Sequence, residues 1–154
     1  MLGIFLILIH LMSVQNISSN DAFDYLSNQN NTILVDVRTQ EEFDSIGVVD
    51  LSSLNKEAIF IPWRLLPDMS INADFEFELI DKIKKHINAN ENEINLLFLC
   101  RSGARSMEAA LFMSDIGYNC FNIEKGFEGD PDDKGVRANI NGWKFNNKPW
   151  KKNN

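Results

Sequence analysis

A cysteine followed by a short loop of small and basic residues is the part of this sequence best suited to chemistry. Cys100 ends the apolar run Ile94–Cys100, and the loop after it reads Arg101-Ser102-Gly103-Ala104-Arg105-Ser106. Small residues let the backbone curl so that successive N–H groups point inward and form a nest for negative charge. The helix expected after the loop adds the positive end of its dipole. In this field, with two arginines nearby, a thiol ionises more readily, and the thiolate is a nucleophile.

The elements around this loop alternate between apolar runs and amphipathic segments, which predicts an α/β fold with a mainly parallel sheet. In such sheets ligands bind outside the carboxyl ends of the strands, where Cys100 is expected to lie. Predicted strands are Val14–Ile17, Thr32–Val37, Ile59–Ile61, Ile94–Cys100 and Asn119–Ile123. Predicted helices are Asn20–Ser27 after a cap at Ser18 or Ser19, a turn around Glu41–Phe43, a helix capped by Asp74 that runs to Asn88, and Ala104–Ile116 with Gly117 as a left-handed cap.

Composition narrows the class of protein. The chain has 154 residues, of which 44% are hydrophobic and 24% charged, as in a soluble globular domain. Fifteen basic residues against 22 acidic ones give a formal charge of -7, which argues against a nucleic-acid partner. An anionic substrate would therefore need a locally positive pocket. Two cysteines are too few for a disulfide scaffold and favour reduced thiols in the cytoplasm.

The first twelve residues form an apolar leader. Met1–Leu11 is shorter than the roughly 20 residues that span a bilayer, so the sequence argues against a membrane protein. It also lacks the basic region and small-residue cleavage site of a secretory signal. Three interpretations stay open: a start codon upstream of the true start at Met12, a short membrane-associating tail, or an extra packed strand or helix.

The loop Cys-Arg-Ser-Gly-x-Arg-Ser after a strand resembles the active-site loop of the rhodanese-like sulfurtransferases. Supporting pieces follow in the family's order: Asp36-Val37-Arg38 with Glu42-Phe43, Ile61-Pro62, and a tail from Gly126 to Trp143 followed by Pro149-Trp150. The resemblance runs from about Ser13 to Trp150, which predicts a domain over residues 13–150 and a polar tail over 151–154. It implies a three-layer fold with a roughly five-stranded central sheet flanked by helices.

The resemblance also implies an activity. Cys100 is the expected catalytic nucleophile, which takes sulfur from a small anionic donor such as thiosulfate and becomes a persulfide. A thiol, cyanide or a sulfur-carrier protein then accepts the sulfur. The expected substrate-binding residues are those of the loop: Arg101, Ser102, Gly103, Ala104, Arg105 and Ser106. Within it, Arg105 would hold the donor, and no metal or organic cofactor is required.

Three other interpretations compete with this one. Cys100 could be a buried strand cysteine beside solvated arginines, or the loop could hold a persulfide delivered by a protein partner without turnover. A phosphatase or arsenate reductase is the third. Tyrosine phosphatases use Cys-x5-Arg, however, whereas the spacing from Cys100 to Arg105 is one residue shorter.

Several side chains lie outside the loop motif. Cys120 is interpreted as a buried apolar residue, with a resolving thiol as the alternative. Asp36 and Arg38 are expected to be structural, pairing with Glu42 or with loop amides. Two segments depart from the family pattern: residues 47–58 replace a compact stretch that contains a histidine, and residues 127–133 add an acidic turn.

Overall fold

The computed structural model describes residues 14–90 and 93–154, so the predicted leader over residues 1–12 lies outside the described residues. The strands are β1 (Gln15–Ile17), β2 (Thr32–Asp36), β3 (Val48–Val49), β4 (Ile59–Phe60), β5 (Arg64–Leu65), β6 (Ser70–Ile71), β7 (Asn95–Leu99), β8 (Asn119–Ile123) and β9 (Trp150–Lys151). The helices are α1 (Ser19–Asn28), α2 (Gln40–Ile46), α3 (Phe75–His86) and α4 (Ala104–Ile116), and a 3-10 turn covers Ser52–Leu54.

The central sheet has five parallel strands in the order β1-β8-β7-β2-β4, which confirms the predicted fold class. Strand β2 is buried at all five positions, as expected for a parallel strand covered on both faces. The register places Asp36 of β2 beside Leu99 of β7. Because parallel strands end at one edge of the sheet, the residues that follow β2 and β7 are neighbours.

Hydrophobic clusters pack on the two faces of the sheet. One contains Ile33, Val35, Leu96 and Phe98 with side chains of α3 and α4. The other contains Leu34, Leu97 and Leu99 with side chains of α1 and of the tail. Alternate residues of one strand enter opposite clusters, so β2 and β7 are fixed in register by burial on both sides.

The helix ends follow the sequence signals in part. The Ser18 hydroxyl accepts the N–H of Asp21, and Thr39 with Glu42 forms a capping box on α2. Gly117 adopts the predicted left-handed conformation after α4, with φ 117°. Asp74 is the N-cap residue of α3, as predicted, but its side chain makes no capping hydrogen bond.

The tail after β8 folds back over the domain. Phe127 and Trp143 are fully buried in the second cluster, and β9 pairs antiparallel with β3. The Trp143 indole N–H donates to the Pro149 carbonyl at 2.8 Å. The tail is therefore a packed part of the domain. Within residues 14–90 and 93–154, no helix combines the length and apolarity needed to cross a membrane.

Candidate active site

Cys100 lies directly after β7, at the carboxyl end of the central sheet. It is buried, with 1% of its surface exposed. The sulfur accepts a hydrogen bond from the Gly103 N–H at 3.1 Å, and the Ser106 hydroxyl oxygen lies 3.2 Å from it. The Val37 N–H donates to the Leu99 carbonyl at 2.8 Å, which fastens the end of β7 to the end of β2. The predicted position of the cysteine, at the switch from apolar strand to loop, is the position observed.

The loop after Cys100 is held by the tail through its carbonyl groups. The Phe127 N–H donates to the Cys100 carbonyl at 2.8 Å, and the N–H groups of Glu128 and Gly129 donate to the Arg101 carbonyl at 3.0 and 3.1 Å. A trans peptide places its N–H opposite its C=O. The two peptides that follow Cys100 therefore turn their N–H groups away from the tail.

Two glycines permit this geometry. Gly103 has φ 112° and is the residue before α4, so the loop enters the helix through a left-handed conformation. At Gly126, with φ 54°, an added Cβ would come within 2.3 Å of the Cys100 carbonyl oxygen and 2.6 Å of the Arg101 carbonyl carbon. Glycine is therefore required at both positions, once for backbone conformation and once for close approach.

Arg105 is paired with a carboxylate. Its guanidinium donates to the two oxygens of Glu42 at 2.6 and 3.1 Å, and both side chains are about one-fifth exposed or less (14% and 21%). Burial tends to raise the pKa of Glu42, but the hydrogen bonds and charge of Arg105 outweigh it, so the pKa lies below its usual value. Burial tends to lower the pKa of Arg105, but the hydrogen bonds and charge of Glu42 outweigh it, so the pKa is raised. The nearby Cys100 sulfur acts in the same direction as Glu42.

The expected pairing of Arg38 with Glu42 is wrong. Arg38 pairs instead with Asp36, with Nη2–Oδ2 at 2.7 Å, and both side chains are fully buried. Burial raises the pKa of Asp36, and the Arg38 guanidinium opposes this effect. Arg38 also donates to the Gly47 carbonyl at 2.9 Å and lies 4.1 Å from the centroid of the Phe127 ring. This pair joins the end of β2 to the tail, so the structural role predicted for Arg38 holds with a different partner.

The other predicted loop residues differ in exposure. Arg101 and Ala104 are exposed, Ser102 and Gly103 are half-buried, and Ser106 is fully buried. The Gly103 N–H and the Ser106 side chain thus meet at the sulfur, whereas Arg101 lies at the surface. Their roles toward a substrate stay predictions.

Cys120 is far from the candidate nucleophile. It pairs in register with Leu96, four residues before Cys100 on the neighbouring strand, or roughly 13 Å along the sheet. A disulfide requires Cα atoms within about 7 Å of each other. Burial raises the pKa of Cys120 to about 12. The geometry thus excludes a direct exchange of sulfur between the two cysteines and agrees with the interpretation of Cys120 as a buried core residue.

Two contributors to the site were not identified from the sequence. Asn122 is the fourth of the five residues of β8, and its Oδ1 lies 2.6 Å from the Ser106 hydroxyl oxygen. Residues 127–129 hold the loop carbonyls, although the sequence suggested only an added acidic turn there. An asparagine inside an apolar strand was the available signal for Asn122. Within the described ranges, no cluster of three or more His, Cys, Asp or Glu side chains is arranged to hold a metal ion.

The chain matches a known protein family and several relatives. A family model described as "Rhodanese-like domain" matches residues 19–130. Uncharacterized proteins of Rickettsia conorii and Rickettsia prowazekii are 46% and 44% identical over 140 residues, which cover 90% of this chain and 98% of each relative.

Solved structures show the same architecture. The protein in the crystal structure of Rv0390 from M. tuberculosis is 34% identical to this chain, and the two structures match with a TM-score of 0.80. The match covers 92% of this chain and 100% of the Rv0390 chain. A polysulfide-sulfur transferase from Wolinella succinogenes is 16% identical with a TM-score of 0.55 over 90% of this chain and 78% of its own, a likeness in fold.

Proposed function

The chain belongs to the rhodanese-like domain family, and from this premise we propose that it is a sulfurtransferase that carries sulfane sulfur on Cys100. The observation that supports this most is the setting of the sulfur atom. It is buried at the carboxyl end of the sheet, within 3.1 Å of the Gly103 N–H, in a loop whose carbonyls are bound by the tail. A backbone donor placed in this way suits a sulfur atom that gains negative charge.

In the first step, the Cys100 thiolate attacks the outer sulfur of thiosulfate. The new S–S bond forms as the donor's S–S bond breaks, and sulfite leaves with the electron pair of that bond. The enzyme now holds a Cys100 persulfide whose outer sulfur carries the negative charge. Covalent catalysis of this kind divides one difficult transfer into two easier ones.

In the second step, an acceptor nucleophile attacks the outer sulfur of the persulfide. The Cys100–sulfur bond breaks, its electron pair returns to Cys100, and the thiolate is regenerated. Cyanide gives thiocyanate, and a thiolate gives a new persulfide. Loop N–H groups from Arg101 to Ser106 stabilise the charged outer sulfur in this scheme, and the exposed Arg101 attracts the anionic donor.

The length of the loop favours sulfur over phosphate as the transferred group. From Cys100 to Arg105 there are four intervening residues, one fewer than in the phosphatase motif. Arg105 is also bound to Glu42 through both of its terminal nitrogens. A tetrahedral phosphoryl group bonded to Cys100 would need a wider loop with the Arg105 guanidinium turned around it, whereas a single transferred sulfur atom needs only the loop N–H groups.

Steady-state turnover tests the proposal. The purified protein is incubated with thiosulfate and cyanide, and thiocyanate is measured. We expect turnover in the wild type, none above background in Cys100→Ser, and near-normal turnover in Cys120→Ala, which removes the other thiol of the chain. Turnover that survives Cys100→Ser would refute the proposal.

The relay interpretation predicts a different outcome of the same experiment. A module that only passes on sulfur would show negligible turnover with thiosulfate and cyanide. It would nevertheless accept sulfur rapidly from a protein persulfide and lose that ability in Cys100→Ser. In that case Cys100 would keep its role as sulfur carrier, and the small-molecule donor would be excluded.

A further inference from the structure

A buried chain of polar side chains runs from Cys100 through Ser106 to Asn122. The Ser106 hydroxyl oxygen lies 3.2 Å from the Cys100 sulfur and 2.6 Å from Asn122 Oδ1. Their exposed fractions are 1%, 0% and 3%, so solvent does not compete for these contacts. The first two residues belong to the loop and to α4, whereas Asn122 comes from β8 and from outside the sequence motif.

The side-chain amide of Asn122 is fixed in one orientation by its other contacts. Its Nδ2 group donates to the Gly103 carbonyl at 3.2 Å and to Asn16 Oδ1 at 2.9 Å. A backbone carbonyl can only accept a hydrogen bond, so the NH₂ group must face Gly103. The amide oxygen then faces Ser106, and it too can only accept.

Ser106 therefore has two acceptors and a single hydroxyl proton. When the sulfur is neutral, the Ser106 hydroxyl donates its hydrogen bond to the Asn122 oxygen at 2.6 Å. The thiol S–H then donates a hydrogen bond to the Ser106 oxygen. When the sulfur is ionised it has no proton to donate and becomes the stronger acceptor, so the hydroxyl must turn from Asn122 to the sulfur. The contact with Asn122 is lost as the contact with the thiolate is gained.

We infer that Asn122 is a positioning residue for Cys100: by competing with the sulfur for the Ser106 hydroxyl, it sets how readily the thiol ionises. The competition makes the thiolate less stable than it would be beside a free serine. It also gives the hydroxyl a second partner whenever the sulfur next to it is uncharged.

A consequence for sulfur transfer rests on the function proposed above. In a persulfide the negative charge lies on the outer sulfur, and the sulfur bonded to Cys100 Cβ is neutral. The Ser106 hydroxyl then returns to Asn122. Asn122 therefore favours the sulfur-loaded form over the free thiolate, and the hydroxyl changes partner once in each half-reaction.

Charged groups lie on the elements around the sulfur and are paired with one another. Arg105 of α4 is paired with Glu42 of α2, Asp36 at the end of β2 is paired with Arg38, and Lys125 after β8 is paired with Asp130. All of these groups are kept in the variants described next. A comparison among those variants therefore isolates the competition for the hydroxyl.

The test measures alkylation of Cys100 by iodoacetamide as a function of pH, by peptide mass spectrometry and with no sulfur donor present. In Ser106→Ala we expect the midpoint of the profile to rise by about one pH unit, since the thiolate loses a charge-assisted hydrogen bond. In Asn122→Leu we expect it to fall by roughly half a unit, because the hydroxyl becomes free to serve the sulfur. In the double variant we expect the midpoint of Ser106→Ala alone.

The double variant decides the question. If Asn122→Leu shifts the midpoint as much without the Ser106 hydroxyl as with it, or raises it, the inference is wrong. Asn119→Leu, on the exposed start of the same strand, is the matched control and leaves the profile unchanged. If Asn122→Leu does not fold, Asn122→Asp replaces it, with a rise that must be larger when the Ser106 hydroxyl is present.

This experiment does not depend on sulfur transfer. If the protein turns over thiosulfate but the double variant shows no coupling, the positioning role fails and the proposed function stands. If coupling is found but the protein shows neither turnover nor persulfide formation, the positioning role of Asn122 stands and the proposed function fails.

Discussion

Two arginine–carboxylate pairs lie close to Cys100, and they differ in what they do. Asp36 and Arg38 are fully buried, so this pair fixes the end of β2 and has no access to a substrate. Glu42 and Arg105 are partly exposed and lie in the first turns of α2 and α4. The second pair thus orients the arginine of the loop motif from outside the loop.

The pairing of Glu42 predicts a dependence of stability on pH. Its pKa in the folded state lies below the ordinary value of 4.5, because the contacts with Arg105 outweigh the effect of burial. A lowered folded-state pKa gives stability that is present above pH 4.5 and is lost as the pH falls through the folded-state value. At pH 7 we expect Glu42→Gln to lower the free energy of unfolding by about 2 kcal/mol, as for hydrogen bonds to charged groups.

Urea denaturation at pH 7 and at pH 3 measures this effect. The difference between the wild type and Glu42→Gln should shrink at the lower pH, because below pH 4.5 the unfolded wild-type chain takes up a proton at Glu42 and the lowered pKa of the folded state no longer contributes its full stability. Glu41→Gln, an exposed neighbour in the same helical turn, provides the control and should cost less at pH 7. A deficit in Glu42→Gln that is equal at both pH values would contradict the assignment.

The active-site loop depends on the element that follows β8 as much as on β7 and α4. Gly126 brings the tail backbone against the Cys100 and Arg101 carbonyls, and the next three N–H groups bind those carbonyls. The tail therefore holds the first two carbonyl groups of the loop in place. We therefore expect a substitution at this contact to alter the position of Cys100 although every residue of the loop motif is kept.

Gly126→Ala tests this contact. Both Gly126 and Gly135 have positive φ, at 54° and 79°, but an added Cβ has backbone atoms within 2.3 Å at the first and open space at the second. We expect Gly135→Ala to cost about 1 kcal/mol for its conformation alone. Gly126→Ala should cost roughly 3 kcal/mol or more, because overpacking adds to that strain.

The free energy of unfolding of the two variants, from urea titration, measures the difference. Thiocyanate formation by Gly126→Ala should fall as well, since the displaced carbonyls reorient the loop. Equal losses of stability in the two variants would show that the close approach has no energetic importance.

The longer elements were predictable because their sequence signals are local. An apolar run gives β7, and Gly117 gives the end of α4 at the residue observed. The strands β3, β5, β6 and β9 each have two residues, too few for a periodic pattern, and they form through pairing with segments distant in the chain.

Tertiary packing also decides contacts that spacing leaves open. Arg38 has four carboxylates within six residues, at Asp36, Glu41, Glu42 and Asp44, and the orientation of α2 determines which of them it meets. The role of Asn122 depends on contacts with β1 and α4, so its position within one strand could not reveal it.

The domain as a whole has hydrophobic clusters on both sides of one sheet, and the tail completes the second of them. Trp143 is fully buried there, although it lies beyond the last strand of the central sheet. Its ring contacts Phe23 of α1 edge to face, with centroids 6.3 Å apart. Residues past the family match at 130 thus pack into the second cluster.

Replacing the Trp143 side chain by that of alanine tests how much the tail contributes to stability. We expect Trp143→Ala to lower the free energy of unfolding by roughly 3–5 kcal/mol, as for other large side chains removed from a core. Trp150→Ala is the control, because that ring is 40% exposed and stacks with Lys144; a loss of about 1 kcal/mol is expected. Similar small losses in both variants would mean that the tail covers a domain already stable without it.

Transfer of sulfur from thiosulfate to Cys100 is the claim on which the proposed chemistry depends, and intact-protein mass spectrometry after brief exposure to thiosulfate tests it most directly. We expect one added sulfur, about 32 Da, on each chain, located at Cys100 by fragmentation and released by cyanide as thiocyanate. The adduct should form in Cys120→Ala and be absent from Cys100→Ser. An unmodified mass in the wild type, or a sulfur that remains in Cys100→Ser, would contradict the claim.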